Sequence, residues 1–361
     1  MNIQPIVIVL SLAIISFVIS MAWTPILTHY LYKYKCWKKK VRTVTVDGRA
    51  ATFTAKIEEN TNVKTPRMGG LIVWGTVVVI AGFFWLLAQW SDIEVLHRMN
   101  FVSRSQTWLP LFTLFTASVI GFIDDLYTIR ESDKKGESKE KGGGLRFRHR
   151  FLLVSLIGLI GGSWMYFKLG WDAIHIPFGG DLFLGPLFIV LFILVVDMLF
   201  TGSVIDGIDG LSGGILSIVF SAFAILAYAR GQYELAAFCA VIFGSLLTFL
   251  WFNIPPARFY LSETGIMGLT TTLAVVAFFL DSILLLPLFA FIIILEVVTN
   301  VIQLGSKKLR NGKKVFLAAP IHHHFQVKGW PSYKVTMRFW LISAIMAMGG
   351  LIIALMDLRL Y

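Results

Sequence analysis

The feature that most limits what this chain can fold into is the spacing of its apolar runs. Windows of about 20 apolar residues, the length a helix needs to cross a hydrocarbon core, recur at about 5–28, 69–89, 107–124, 150–168, 185–201, 211–229, 235–252, 264–281, 283–303 and 336–357. In lipid every backbone N–H and C=O must find a partner inside the protein, which makes each run a helix. The expected fold is therefore an all-α polytopic membrane protein of about ten transmembrane helices, with short β-hairpins confined to loops. Composition agrees, since 57% of the residues are hydrophobic and 15% charged, a balance that excludes an ordinary soluble domain. The eighth and ninth runs nearly fuse around Asp281, so their boundary is the least sharp. The first run lacks a basic leader and a small-residue cleavage site, and is expected to be a retained helix and not a signal peptide.

Ten spans put both termini on one side, and the basic residues say which. Segment 29–68 holds ten Lys and Arg, 125–150 holds eight, 304–338 holds eight, and Arg258 lies in 253–263, so 27 of the 32 fall on one face. The positive-inside rule makes that face cytoplasmic and leaves the termini outside. The net charge of +11 is then accounted for by topology and by attraction to the lipid bilayer, with no nucleic acid partner required. Cys36 sits in a basic polar loop and Cys239 inside an apolar run; neither has an evident partner, so no disulfide and no zinc site are expected.

The polar connections on the basic face carry the chemistry. In 29–68 the alternation around Asp47-Gly48 predicts a β-hairpin over 41–55, and the segment closes on Lys64-Thr65-Pro66-Arg67-Met68-Gly69-Gly70, where proline and paired glycines end the loop as a span begins. The third run ends in Asp124-Asp125. Adjacent carboxylates repel unless a cation or proton is shared, which suits metal binding or general-base work as well as a plain acidic helix end. The Lys-, Glu-, Ser- and Gly-rich stretch that follows predicts mobility around Glu137 to Gly144. It leads to Arg148 and Arg150, placed to snorkel or to meet phosphate. On the outer face, 171–184 alternates like a short hairpin. Ser203 to Gly213 places Asp206 and Asp209 between two spans, where burial in hydrocarbon is costly; they either cap the next helix or bind a ligand at a water-filled mouth. The stretch from Asn253 to Gly265 has a helix-breaking Pro255-Pro256, with Tyr260 and Glu263 beyond it. His322, His323 and His324 are consecutive. They cannot easily share one ion, because consecutive side chains point apart; imidazole donors to a phosphate are the better reading.

In their order, Thr65 to Gly70, Gly121 to Asp125, Asp206 to Leu211, Asn253 to Gly265 and Pro320 to Trp330 resemble the phospho-N-acetylmuramoyl-pentapeptide transferase family of the polyprenyl-phosphate N-acetylhexosamine-1-phosphate transferase superfamily. The resemblance extends over essentially the whole chain, so one integral membrane domain over 1–361 is expected. It implies transfer of phospho-MurNAc-pentapeptide from UDP-MurNAc-pentapeptide to undecaprenyl phosphate, with Mg²⁺, at the bacterial inner (cytoplasmic) membrane, for peptidoglycan synthesis and cell wall biogenesis. A homodimer would be unsurprising for the family. By position, Asp124 and Asp125 match the catalytic acidic pair, Asp209 and Asp206 the acids for catalysis and nucleotide binding, Asn253 and Tyr260 the uridine pocket, and His322, His323 and His324 the histidines near the phosphates. Glu263, with Asp124, matches the metal position, while Lys64, Arg148 and Arg150 match basic substrate-binding positions.

The chain departs from that pattern where Glu263 replaces an aspartate, Ser262 a glycine, Thr128 a lysine and Ser203 an asparagine, and where Arg148 and Arg150 replace lysines. The alternatives are a sister transferase using UDP-GlcNAc or a related sugar, a catalytically impaired scaffold that binds without turnover, and a transporter. The last is disfavoured because the acids lie in loops and the spans show no internal repeat.

Overall fold

The computed structural model of the protein describes residues 4–37, 65–103, 105–133 and 144–358; the expected hairpin at 41–55, Lys64 and most of the Glu137–Gly144 stretch lie outside these. In chain order the elements are α1 (Pro5–Lys33), α2 (Gly70–Trp90), a short α3 (Glu94–Met99), α4 (Ser105–Asp133), α5 (Phe147–Ser163, extended by a π-helical turn to Lys168), β1 (Ala173–Ile176), β2 (Gly180–Phe183), α6 (Leu187–Thr201), α7 (Leu211–Ala229), α8 (Tyr233–Asn253), α9 (Ser262–Phe279), α10 (Leu286–Phe289), α11 (Phe291–Leu309), α12 (Ile321–Val327) and α13 (Ser332–Asp357). Among the described residues nine helices are long and apolar enough to span a membrane, and a bent pair makes the tenth. The multi-pass, all-α expectation therefore holds.

Two boundaries differ from the hydropathy reading. Helix α4 runs past Asp124 to Asp133; Asp124 and Asp125 lie within it and take their partners from other elements. The ninth span is not straight: Ile283–Phe289 and Phe291–Leu309 meet at 90°, where Ala290 leaves helical geometry with φ −105° and ψ 32°. The outer hairpin is present, with β1 and β2 antiparallel and Ala173 opposite Phe183.

Helix α9 is the axis of the bundle, its span 94% buried. It packs against α4, α2 and α6, and small residues let the backbones touch, as membrane helix packing requires. A Cβ on Gly70 would fall 2.2 Å from Gly265, and one on Gly121 would fall 2.0 Å from the Glu263 carbonyl oxygen. These approaches draw the ends of α2, α4 and α9 together and set the distances in the site below.

Candidate active site

At the end of the bundle that carries the basic loops, the tail of α4, the starts of α5 and α9, and the connections before α2, α7 and α9 converge. Asp125, fully buried, accepts hydrogen bonds from the Thr264 N–H (3.0 Å), the Thr264 hydroxyl (2.6 Å) and Arg67 Nε (2.8 Å). Both of its oxygens are thereby used, so it anchors the start of α9. Burial opposes the charge on Arg67, but Asp125, Glu263 and Asp206 outweigh it and raise the guanidinium above its ordinary value.

Asp124 is tied differently. The Leu145 N–H donates to Oδ1 (2.6 Å), while Oδ2 lies 3.4 Å from Arg150 Nη1. The same Nη1 meets Glu263 Oε1 at 2.5 Å. Arg150 thus supplies the positive charge between two carboxylates, and Glu263 Oε2 and Arg150 Nε are buried without hydrogen-bond partners among the described residues. Arg148 is exposed and takes no part in this cluster.

Asp206 and Asp209 do not sit on one helical face. A 3₁₀ turn, Gly202–Ile205, precedes them, and Gly210 adopts φ +76°. Each instead reaches the connection after α8: Asp206 accepts from the Ser262 N–H (2.7 Å) and the Ser212 hydroxyl (2.6 Å), and Asp209 from the Ala257 N–H (3.1 Å) and the Tyr260 hydroxyl. Burial raises both carboxyls above the usual range, and these donors oppose it. Tyr260 is raised too, by burial and then by Asp209, while its hydroxyl meets Thr65. Asn253 is buried and spans the loop, accepting from the Gly210 N–H and donating to the Phe259 carbonyl, both at 2.9 Å. Trp340 and Thr336 of α13 clamp the same loop by donating to the carbonyls of Gly210 (3.1 Å) and Asp209 (3.0 Å).

The three histidines part company. His322 is 0% exposed, with Nδ1 3.0 Å from Oε2 of an equally buried Glu296. His323 Nδ1 pairs with Gln326 Oε1 at 2.7 Å, and burial, then the charge of His322, lowers it to about 3. His324 is the least enclosed and accepts from the Leu317 N–H at 3.2 Å; it too is lowered, by burial and then Lys328. The sequence assigns two of these partners no role: Arg67 stands in it as a member of the motif from Thr65 to Gly70. Glu296 had a visible signal, an isolated acid within an apolar helix.

Among the described residues no group of three or more His, Cys, Asp or Glu is arranged to hold a metal ion. The pair Asp124 and Glu263, oxygen donors only and with one orphaned oxygen, nevertheless fits Mg²⁺. That ion is commonly held by one or two carboxylates together with substrate phosphates and water.

Comparison with known proteins gives the same direction. Residues 107–281 match the family described as glycosyl transferase family 4. The chain is 31% identical over 312 residues to a phospho-N-acetylmuramoyl-pentapeptide-transferase of Francisella tularensis subsp. novicida, covering 80% of this chain and 79% of that protein. It is 30% identical over 344 residues to the protein of the same name from Francisella philomiragia, covering 88% and 86%.

Proposed function

Because the chain belongs to the phospho-N-acetylmuramoyl-pentapeptide-transferase family, we propose that it transfers phospho-MurNAc-pentapeptide from UDP-MurNAc-pentapeptide to undecaprenyl phosphate, releasing UMP and forming lipid I, with its acidic site on the cytoplasmic face of the bacterial inner membrane. The observation that carries this reading is the Asp124–Arg150–Glu263 cluster, two carboxylates around one cation with a buried carboxylate oxygen left over.

Two anions must meet in this reaction, and the residues divide the work accordingly. Asp124, whose Oδ2 has only the long contact to Arg150, takes the proton of the lipid phosphate or orients it. An oxygen of that phosphate forms a bond to the β-phosphorus of the UDP-sugar, the bond from that phosphorus to the bridging oxygen breaks, and UMP leaves. Arg150 and Arg67 offset the charge of the approaching phosphates. Asp124 and Glu263 would hold Mg²⁺, which when bound supplies positive charge between the phosphates. Asp206 and Asp209 fix the uridine side through the connection that bears Tyr260.

The test is UMP release by the purified protein in detergent with undecaprenyl phosphate and either UDP-MurNAc-pentapeptide or UDP-GlcNAc, with Mg²⁺ or with EDTA. Metal-dependent release from the pentapeptide substrate alone is expected. Release from UDP-GlcNAc would move the chain to a sister transferase, and release from neither would overturn the catalytic reading in favour of a binding scaffold.

A further inference from the structure

Glu296 is a fully buried carboxylate to which the mechanism above gives no work. It stands on α11, in the run Phe291-Ile292-Ile293-Ile294-Leu295-Glu296, beyond the 90° bend of the ninth span. Glu296 and His322 are both 0% exposed and approach to 3.0 Å. Among the described residues neither side chain has another hydrogen-bond partner, and the separation is that of a hydrogen bond. A carboxylate removed from water is tolerated only beside a compensating group, and His322 is the one on hand. On the opposite side of the ring, a Cβ built on Gly207 would fall 2.3 Å from Nε2. The imidazole therefore lies flush against the middle of the Asp206–Asp209 loop, which only glycine permits. The ring of His323, 4.1 Å from that of His322 between centroids, is engaged by Gln326 and does not compete for Glu296.

We propose that Glu296 is a positioning residue for this site: it keeps the hydrogen of His322 on Nδ1 and so sets Nε2 against Gly207, fixing the loop that carries Asp206 and Asp209. A carboxylate behind an imidazole determines which nitrogen carries the hydrogen and how the ring faces, the same physics that orients histidine behind a metal or a nucleophile. The chain Glu296–His322–Gly207 crosses from the bent ninth span to the connection before α7, so the bend ahead of α11 serves the placement of the loop acids.

The test has a spectroscopic arm that does not depend on turnover and a kinetic arm that rests on the transfer reaction proposed above. In ¹⁵N-histidine-labelled protein, the His322 signals, assigned by their loss in His322→Asn, are expected to show hydrogen on Nδ1, and Glu296→Gln is expected to disperse them into a tautomer mixture. In UMP release, Glu296→Gln is expected to lower kcat about 10- to 100-fold with KM for the UDP substrate within about twofold, a range typical of groups that orient a functional histidine. Glu296→Asp is expected to recover part of that loss, and Glu296→Gln added to His322→Asn to cost little more. A bare Nδ1 in the unmodified protein, or wild-type kcat in Glu296→Gln, would overturn the proposal. If the unmodified protein releases no UMP, the transfer reading fails while the spectrum still decides this one.

Discussion

Two charged clusters stand at opposite ends of the bundle, and they differ in how completely their atoms are used. At the hairpin end, both nitrogens of His175 are engaged, by Asp181 (2.8 Å) and Asp357 (2.7 Å), the second oxygen of Asp357 accepts from the Phe178 N–H (2.8 Å), and Arg230 pairs with Asp281 (2.9 Å). Among the buried side-chain atoms described in that cluster, only Arg230 Nε lacks a partner. At the basic end, Glu263 Oε2, Arg150 Nε, the Ser262 hydroxyl and the polar atoms of His322 and Glu296 lack one. Buried polar atoms are nearly always satisfied; Glu296 and His322 stand within reach of each other, and the remaining orphans at this end are atoms that a ligand would complete. The first cluster fastens β1–β2 to the end of α13, and in the transfer reaction proposed above the second would lend its spare bonding capacity to phosphates and a cation.

The sharpest way to break this comparison is Asp124→Asn. The amide keeps the shape and loses the charge, so a fold change is not expected. UMP release is expected to fall by roughly 10²- to 10⁴-fold, the usual contribution of a positioned base, while UMP binding changes little. Wild-type turnover across pH would remove Asp124 from the role given to it.

Next in size is Arg67→Met. It leaves Asp125 buried with only the two Thr264 donors, and breaking a buried pair by deleting one partner costs about 3 kcal/mol or more. Thermal unfolding in detergent should show a large drop in Tm. An unchanged Tm would mean that Thr264 alone satisfies Asp125. Gly121→Ala comes third, because the added methyl would fall 2.0 Å from the Glu263 carbonyl. Overpacking of this kind costs about 1–3 kcal/mol, and by pushing α9 from α4 it should also lower UMP release. Full activity in this variant would show that the Asp124–Glu263 spacing is not critical.

How far the two ends were legible from sequence follows the same division. The spans were readable because a run of twenty apolar residues has one stable conformation in lipid; the break at Ala290 had one signal, Pro287 at the start of the short helix before it, but a proline does not by itself fix a bend of 90°. The acids of the basic end were readable because charge beside a span is costly. Their pairings were not, since Arg67 and Asp125 lie 58 residues apart in the chain and meet only because Gly70, Gly121 and Gly265 let three helices touch. Asn253 illustrates a different gap: an amide side chain serves a ligand or the backbone equally well, and only coordinates show it bridging Gly210 and Phe259. At the hairpin end the strand alternation was readable, whereas the bond from His175 to Asp357, 182 positions away, was not.

That bond gives the smallest and most discriminating test. Burial tends to lower His175, but its hydrogen bonds to Asp181 and Asp357 outweigh burial and raise it above the ordinary histidine value; Asp281, paired with Arg230, lies near the same cluster. A group whose value is raised on folding stabilises the fold fully below its unfolded value, about 6.5, and loses that contribution as pH climbs through the folded value. His175→Gln should therefore lower Tm most near pH 6 and progressively less towards pH 9, with a cost of about 1 kcal/mol or less, as for partly exposed ion pairs. UMP release should be unchanged at every pH, because the saturated cluster touches nothing that reacts. A variant with normal Tm and impaired release would reverse the assignment of the two ends.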